Sequence, residues 1–483
     1  MGRRSVHPPS PQGAVPGRFR VVLLPLAMAA AVAGCVAPNL PRLPAQVPSA
    51  WQHAPTGAGA VAAPDLRGWW KAFNDPDLDR LVEQALVDNL GVRQAALRIG
   101  AARSLDKHTY STYLPQLGFR TFAEPAPDNS ASYFQFGFDS KWEFGFFGRA
   151  ESHARVTAGE LGITESEAQS ARVSVVAEVV KTYVELRGAQ QRLHLMEQAA
   201  SLARDKVDLT ATRERLRLAS ENELARARAA QAAAEAALHE PRLAIARSRQ
   251  QLAVLLGRDR LADDFVAERA PPRLGGLRID SAPADLLRTR PEIRRAESEV
   301  LKAAGELGLA EADLYPRLGI GGSLTYAARV IGHTRLSDAD GIVTFGPAID
   351  IPLFDWGARL AVVDARDAAL SASVLAYRQA VLDGIAEAET ALAALEQQGQ
   401  RAAKLASGVT GLEGSAESTA TLTRLGLADG FDRVAASDAL LQARLELSQA
   451  EQERSIAFVA LYKSLGGAPL PPHDPAATAK GEP

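Results

Sequence analysis

The feature that most constrains this 483-residue chain is that its body is written twice. Gly148 in Phe147-Gly148-Arg149 recurs as Gly357 in Trp356-Gly357-Ala358-Arg359, 209 positions later. Arg215-Leu216-Arg217-Leu218-Ala219-Ser220 recurs as Arg424-Leu425-Gly426-Leu427-Ala428-Asp429, and Leu256-Gly257 as Leu465-Gly466, at the same offset of 209. Pro115 in Tyr113-Leu114-Pro115-Gln116-Leu117-Gly118 answers to Pro316 in Leu314-Tyr315-Pro316-Arg317-Leu318-Gly319 at 201, so one loop between Pro and Gly is eight residues longer in the second copy. A match without a gap over the second part of each repeat identifies a duplicated unit.

Inside each unit a helical stretch leads to the Pro, two alternating stretches follow, and a long helical stretch completes it. Phe134, Phe136, Phe138, Trp142 and Phe144 interleave with Gln135, Gly137, Asp139, Lys141 and Glu143. Period 2 makes these the opposite faces of a strand, one aromatic and one polar. Leu318, Ile320, Leu324 and Tyr326 alternate in the same way, as do Val343, Phe345, Pro347, Ile349 and Ile351, while Leu117 and Phe119 begin a fourth run with Arg120 on the other face. Two hairpins are predicted, with loops near Glu124–Ala131 and Arg329–Gly341. A soluble sandwich would turn the apolar face inward, but four strands are too few for a two-sheet core. The charged and glycine-bearing faces instead suit a water-filled lumen, and the runs are long enough to cross a membrane as β-strands. Four strands cannot close a barrel alone, so several chains would have to share one wall.

The helical stretches are long. No proline falls between Pro127 and Pro241 or between Pro352 and Pro469, and Ala, Leu, Arg, Glu and Gln dominate both. From Gly148 to Leu216 the chain predicts about 100 Å of helix. Each stretch then breaks once, at the Arg-Leu-x-Leu-Ala-Ser/Asp element, and returns as an antiparallel helical hairpin with coiled-coil-like packing.

The N-terminus has its own logic. Arg3, Arg4, Arg18 and Arg20 precede an apolar run from Val21 to Ala33, the pattern of a secretory signal peptide. The sole cysteine of the chain, Cys35, ends Val32-Ala33-Gly34-Cys35, where a bacterial lipobox puts its acylated residue. The alternative is an ordinary signal peptide with an incidental Cys. Val36-Ala37 follows without an Asp, which favours export to the outer membrane. A stretch rich in Pro, Ala and Gly to about Pro64 then predicts an extended strap. Trp69-Trp70 is expected to pack onto the folded body.

Composition closes off other classes. Lys+Arg 54 against Asp+Glu 57 leaves a net charge of -3, which excludes a polybasic nucleic-acid binder. One cysteine excludes internal disulfides and thiolate metal sites. The eight histidines are scattered, and there is no phosphate-cradling loop or nucleophile elbow, so no catalysis, metal or cofactor is expected beyond a covalent lipid on Cys35.

An acylated Cys, a duplicated β-hairpin and paired long helices resemble the outer-membrane factors of bacterial tripartite efflux systems, in the lipoprotein branch of the TolC/NodT-type family. Trp69-Trp70-x-x-Phe73-x-Asp75-Pro76-x-Leu78, Ala85-Leu86-x-x-Asn89-Leu90, Asp285-Leu286-Leu287-x-x-Arg290-Pro291-Glu292-Ile293 and Ala310-Glu311-Ala312-Asp313-Leu314-Tyr315-Pro316 carry the resemblance, which runs from about residue 65 to 467. It implies a mixed α+β membrane protein: a homotrimer with a twelve-stranded outer-membrane β-barrel continued by a periplasmic α-helical barrel. The implied organisation is a signal peptide (1–34), an acylated linker (35–64), a first repeat (65–257), an inter-repeat linker (258–283), a second repeat (284–467) and a tail (468–483).

The implied work is that of a passive exit duct for drugs or other small solutes, partnered by a periplasmic adaptor protein and an inner-membrane RND-type pump. A pore-less structural coiled-coil lipoprotein and a protein or peptide secretion duct of the same fold are the alternatives. Phe134, Phe136, Phe138, Trp142 and Phe144 would face lipid. At the helical tips, the resemblance puts Leu425, Asp429 and Asp432 at a channel gate and Arg215, Leu218, Ala219, Arg424, Leu427 and Ala428 against the adaptor. Asp429 reads equally well as the N-cap of the returning helix. Arg217 stands where the first tip of the family usually has Gly.

Overall fold

The computed structural model describes residues 40–43, 51–53, 61–62, 66–124, 133–262, 265, 267–274, 277–278, 290–329 and 341–467. Cys35, the signal peptide, both predicted strand loops and the Asp285-Leu286-Leu287 part of its motif lie outside them. The helices are α1 (Pro76–Asp88), α2 (Leu90–Lys107), α3 (Arg149–Arg215), α4 (Glu221–Ala237), α5 (His239–Leu255), α6 (Pro291–Ala312), α7 (Ala358–Arg424) and α8 (Gly430–Ser464). The long strands are β1 (Gln116–Glu124), β2 (Tyr133–Glu143), β3 (Arg317–Arg329) and β4 (Gly341–Asp350).

The duplication is visible in the backbone. α3 and α7 each have 67 residues and begin and end 209 positions apart. The left-handed residues repeat at the same offset: Phe147 with Trp356, Gly148 with Gly357, Arg217 with Gly426 and Gly257 with Gly466. Asn74 is the one such residue without a counterpart among the described residues. The returning helices differ, contrary to the expectation of one break per stretch. α8 runs unbroken for 35 residues, whereas the first return is interrupted at Leu238. Pro241 is the cause: it lacks the N–H for a helical bond to Ala237 and its ring crowds that carbonyl.

Two compact units result, and neither coincides with a repeat. One is built from Leu105–Ala158 and Leu301–Ala372, the other from Arg42–Ser104, Gly159–Val300 and the chain from Ser373 onward. In the first, the strands form an antiparallel meander in the order β1-β2-β3-β4, so β2 of one repeat pairs with β3 of the other. Gly137 and Gly319 stand at this junction, where an added Cβ would lie 2.2 Å from the Leu324 carbonyl oxygen and 2.6 Å from that of Trp142. Among the described residues, nothing pairs with the outer edges of β1 and β4.

The second unit holds the hydrophobic core. Trp69 and Trp70, as expected, are buried on the body together with Phe73, packed with Leu78, Tyr183, Leu392, Phe458 and Tyr462. The Trp69 ring stacks on Tyr462 at 5.4 Å. The motif residues that follow build the start of α1: Asp75 is its N-cap, accepting from the Asp77 and Leu78 amides, and Pro76 opens the helix. Tyr183 donates to the other oxygen of Asp75 at 2.7 Å. Asn89 joins α1 to α2, accepting from the Val92 amide and donating to the Leu255 carbonyl at 2.8 Å.

Both segments predicted as linkers contribute to this core. Trp51, Leu261 and Phe265 are among its buried residues, and Val61–Ala62 pairs in parallel with Leu277–Arg278. Arg187 of α3, fully buried, donates to Gln190 and to the Ala267 carbonyl and lies over the Tyr183 ring. Nearby, the buried carboxylate of Asp77 is faced by Arg80 at 2.6 Å, Arg187 at 3.9 Å and Arg269. No described helix is long and apolar enough to cross a membrane.

Candidate channel wall and helical tips

The sheet register sorts the side chains into two unlike faces. Phe138 pairs with Phe119 and Leu324, and Leu324 with Val343; Trp142 pairs with Ile320 and Ile320 with Pro347. Together with Leu117, Phe136, Tyr326, Phe345 and Ile349 these residues make one continuous apolar face, and it is exposed: Phe345 is 83% accessible. Phe136 stacks on Tyr326 at 5.7 Å and Phe138 meets Phe119 edge-on at 5.2 Å. Phe134 holds its place in this register between Ala123 and Ala328. Phe144 falls one residue beyond β2, although its amide still donates to the carbonyl of Leu318, the residue next in the same register; it packs on Trp142 and Phe146.

The opposite face carries Arg120, Gln135, Asp139, Lys141, Glu143, Arg317 and Asp350. Exposing large apolar side chains such as Leu117, Phe119, Phe138, Val343, Phe345 and Ile349 while spending charge on the other face is unfavourable in water by about 25 cal/mol per Å². In lipid the balance reverses, since the charged face then lines the aqueous side.

At the helix end of the strands, polar groups and aromatic rings mark a boundary. Arg149 donates to Asp313 at 2.6 Å and to the Ala312 carbonyl at 3.1 Å, and Arg317 donates to Asp313 at 2.7 Å. Burial raises the Asp313 pKa, but the hydrogen bonds from Arg149 and Arg317 outweigh it and hold the carboxyl below its ordinary value. The Trp142 indole N–H donates to the Tyr113 carbonyl at 3.0 Å. Phe147 stacks on Tyr315, and Phe354 lies against Trp356, which is 90% exposed. Such a ring-rich band is what the interfacial girdle of a membrane barrel requires.

The other functional candidates sit at the two hairpin tips. Both long helices end in the same Schellman motif. The Arg217 and Leu218 amides donate to Glu214 and Arg213, as the Gly426 and Leu427 amides do to Thr423 and Leu422. Arg217 therefore adopts the left-handed conformation of Gly426, with φ of 60° against 72°, and the first tip keeps its shape despite the missing glycine. Each returning helix then opens with a capping box. Ser220 and Glu223 exchange bonds at the start of α4, and Asp429 and Asp432 do so at the start of α8, at 2.9 and 3.1 Å. The N-cap role of Asp429 is thus realised in the single chain, with Asp432 as its reciprocal partner.

The tip residues predicted to meet a partner are largely on the surface. Leu218, Leu425 and Leu427 are about two-thirds exposed or more, and Arg215 and Arg424 are tied back only to Thr212 and Thr421, each at 3.1 Å. Ala219 and Ala428 are half-buried under the turns. The tips are held side by side: Arg433 pairs with Asp205 at 3.2 Å and the Arg213 guanidinium lies 5.1 Å above the Phe431 ring. A cleft of about 400 Å³ opens between Lys206, Arg213, Glu223, Arg226 and Phe431. Sequence pattern did not single out Arg213, Phe431 or the Ser220–Glu223 box, although Ser-x-x-Glu ahead of a helix was a readable signal for the last.

A sheet apolar on one face and charged on the other, continued by paired long helices with matched tips, defines a membrane-channel class of protein. The chain belongs to the outer membrane efflux protein family, matched over residues 81–258 and 282–467. The channel is thus an outer-membrane component of efflux that extends into the periplasm. Its sequence is 26% identical to Nodulation protein T of Rhizobium leguminosarum bv. trifolii over 90% of this chain and 95% of that one. It is 25% identical to the cation efflux system protein CusC of Escherichia coli over 92% of this chain and 98% of that one. Among solved structures, the outer-membrane channel OprN superposes with a TM-score of 0.77 at 28% identity, covering 90% of this chain and 99% of that one. The CmeC channel of Campylobacter jejuni shares the fold with a TM-score of 0.78 at 19% identity, over 92% and 98%.

Proposed function

We propose that three copies of this chain close their sheets into one outer-membrane barrel and their helical hairpins into one periplasmic tunnel, forming a passive exit duct for small solutes. The observation that carries this is the four-stranded sheet with an exposed apolar face, a charged opposite face and two free edges. Each edge needs a partner in lipid, and copies of the same chain supply it. Energy comes from an inner-membrane pump, reached through an adaptor protein that meets Arg215, Leu218, Ala219, Arg424, Leu427 and Ala428. Leu425 narrows the tip by apolar contact around the three-fold axis. The Asp429 carboxylates, three to a ring, repel one another and draw cations, with Asp432 beside them.

A duct does not choose its cargo as a pump does. Relatives named for cation, toluene and antibiotic efflux have comparable sequences, which supports a substrate range set by the partner pump. Cys35 carries the lipid that secures the N-terminal strap to the membrane. Metabolic labelling with palmitate is expected to mark the wild type and not Cys35→Ser; equal labelling of both would end the lipid assignment. The duct itself is tested by purification and bilayer recording. The detergent-solubilised protein should be trimeric and should conduct once the tip is opened by neutralising Asp429. A stable, detergent-free monomer burying Phe136 and Trp142 would overturn the proposal.

A further inference from the structure

We propose that the charged face of the sheet is a sign-alternating ladder that makes the barrel section indifferent to the sign of a passing solute's charge, with Lys141 as its specificity-determining residue. The ladder rests on the trimeric duct proposed above. From the loop end of the sheet toward the helices, the register puts Arg120 opposite Gly137, then Asp139 opposite Gly118, then Lys141 opposite Gln116, then Glu143 opposite Gly319. The signs run plus, minus, plus, minus.

Every rung has an uncharged neighbour across the strand, so the charges meet their opposites along the strand direction. Arg120 Nε lies 3.6 Å from Asp139 Oδ2, and Lys141 Nζ lies 3.5 Å from Glu143 Oε2. At the levels of these rungs the second hairpin adds no charge: from Gly319 to Thr325 in β3 and from Ile342 to Ala348 in β4 the same face is uncharged, and Arg317 and Asp350, one step beyond Glu143, stand opposite each other with opposite signs.

Successive rungs are about 7 Å apart, at two residues per rung on a strand. That is inside the Debye length of about 8 Å in physiological salt. In a three-fold assembly each rung becomes a ring of three like charges bracketed by rings of the opposite sign. Their potentials cancel a short way from the wall, and a solute near the axis meets almost no net field. A wall of one sign would instead concentrate counterions and exclude solutes of its own sign. Lys141 is decisive because it separates Asp139 from Glu143. Lys141→Glu makes three successive rungs acidic, whereas Lys141→Glu with Glu143→Lys restores the balance in a different order.

The potential can be read chemically on the acylated full-length protein in proteoliposomes. Thr344→Cys places a thiol on the charged face at the level of Asp139, through the pairs Asp139–Ser323 and Ser323–Thr344, while Val343→Cys places one on the apolar face. Cationic trimethylammonium and anionic sulfonate methanethiosulfonates are compared at the Thr344→Cys thiol, each normalised to its rate with a free thiol. The two normalised rates should agree within about twofold, and Lys141→Glu should favour the cationic reagent by about fivefold or more. The charge-swapped double variant should return the ratio to near unity, and Lys141→Gln should fall between.

A strong sign preference in the parent, or a ratio unmoved by Lys141→Glu in protein that still forms trimers, overturns the ladder while leaving the duct standing. A Thr344→Cys thiol as inert to both reagents as Val343→Cys overturns the duct, and the ladder with it.

Discussion

Asp429 has one observed role and one proposed one. Its oxygen accepts from the Asp432 amide as an N-cap, while the proposed duct would ask the same group for negative charge at the tip. Asparagine separates the roles, because it caps nearly as well as aspartate and carries no charge. Asp429→Asn and Asp429→Ala are both expected to raise uptake of large antibiotics. Only Asp429→Ala should loosen the first turn of α8, by about 1 kcal/mol in amide exchange at 430–433. If Asp429→Asn leaves uptake at the wild-type level, the charge has no part in closing the tip.

The cap of the first tip depends on acid. Hydrogen bonds from the Ser220 amide and hydroxyl hold the Glu223 pKa below its ordinary value of 4.5. The capping contribution is therefore fully present above 4.5 and is lost as pH falls through the lower folded value. Exchange protection at 221–224 should drop across that acid window, and Glu223→Gln should abolish the pH dependence.

Elements differ in how readily the chain announces them. The strands were legible because alternation is local: Phe136, Phe138 and Trp142 lie on one face whatever they pair with. The end of β2 was not, since Phe144 keeps both the alternation and a register bond to Leu318 yet lies just outside the strand. The N-cap at Asp429 was read beside its rival role, whereas the fully buried Arg187, held by the Ala267 carbonyl, belongs to no periodic pattern and could not be found. The break at Leu238 had a visible cause in Pro241, but the strength of the 209-residue repeat pointed to equal returns. Pro241→Ala should remove the break at Leu238 and fuse α4 with α5 into a helix like α8. Spin labels on the exposed residues Ala229 and Gln250 should then report a longer, narrower distance distribution; an unchanged one would place the cause of the break elsewhere.

At the scale of the whole molecule, each compact unit draws on both repeats, so neither copy of the duplicated sequence is a domain by itself. The fold class, the paired hairpins and the tips were readable because they depend on period and repetition. The tying of Trp51, Leu261 and Phe265 into the core was hidden, because isolated apolar residues in Pro- and Gly-rich stretches carry no period. The proposed lipid-facing role of the apolar face has a direct consequence for assembly. Phe345→Arg, placed mid-strand on that face, should cost about 2–4 kcal/mol in the membrane and deplete the proposed trimer, read as a heat-resistant band on gels. Thr344→Arg, its neighbour on the charged face, should not.

The break at Leu238 makes the two returning legs of one chain unequal, one jointed and one continuous. Were three chains to close into the proposed ring, jointed and continuous legs would alternate around its circumference. An iris built this way would have three joints rather than six at which to give.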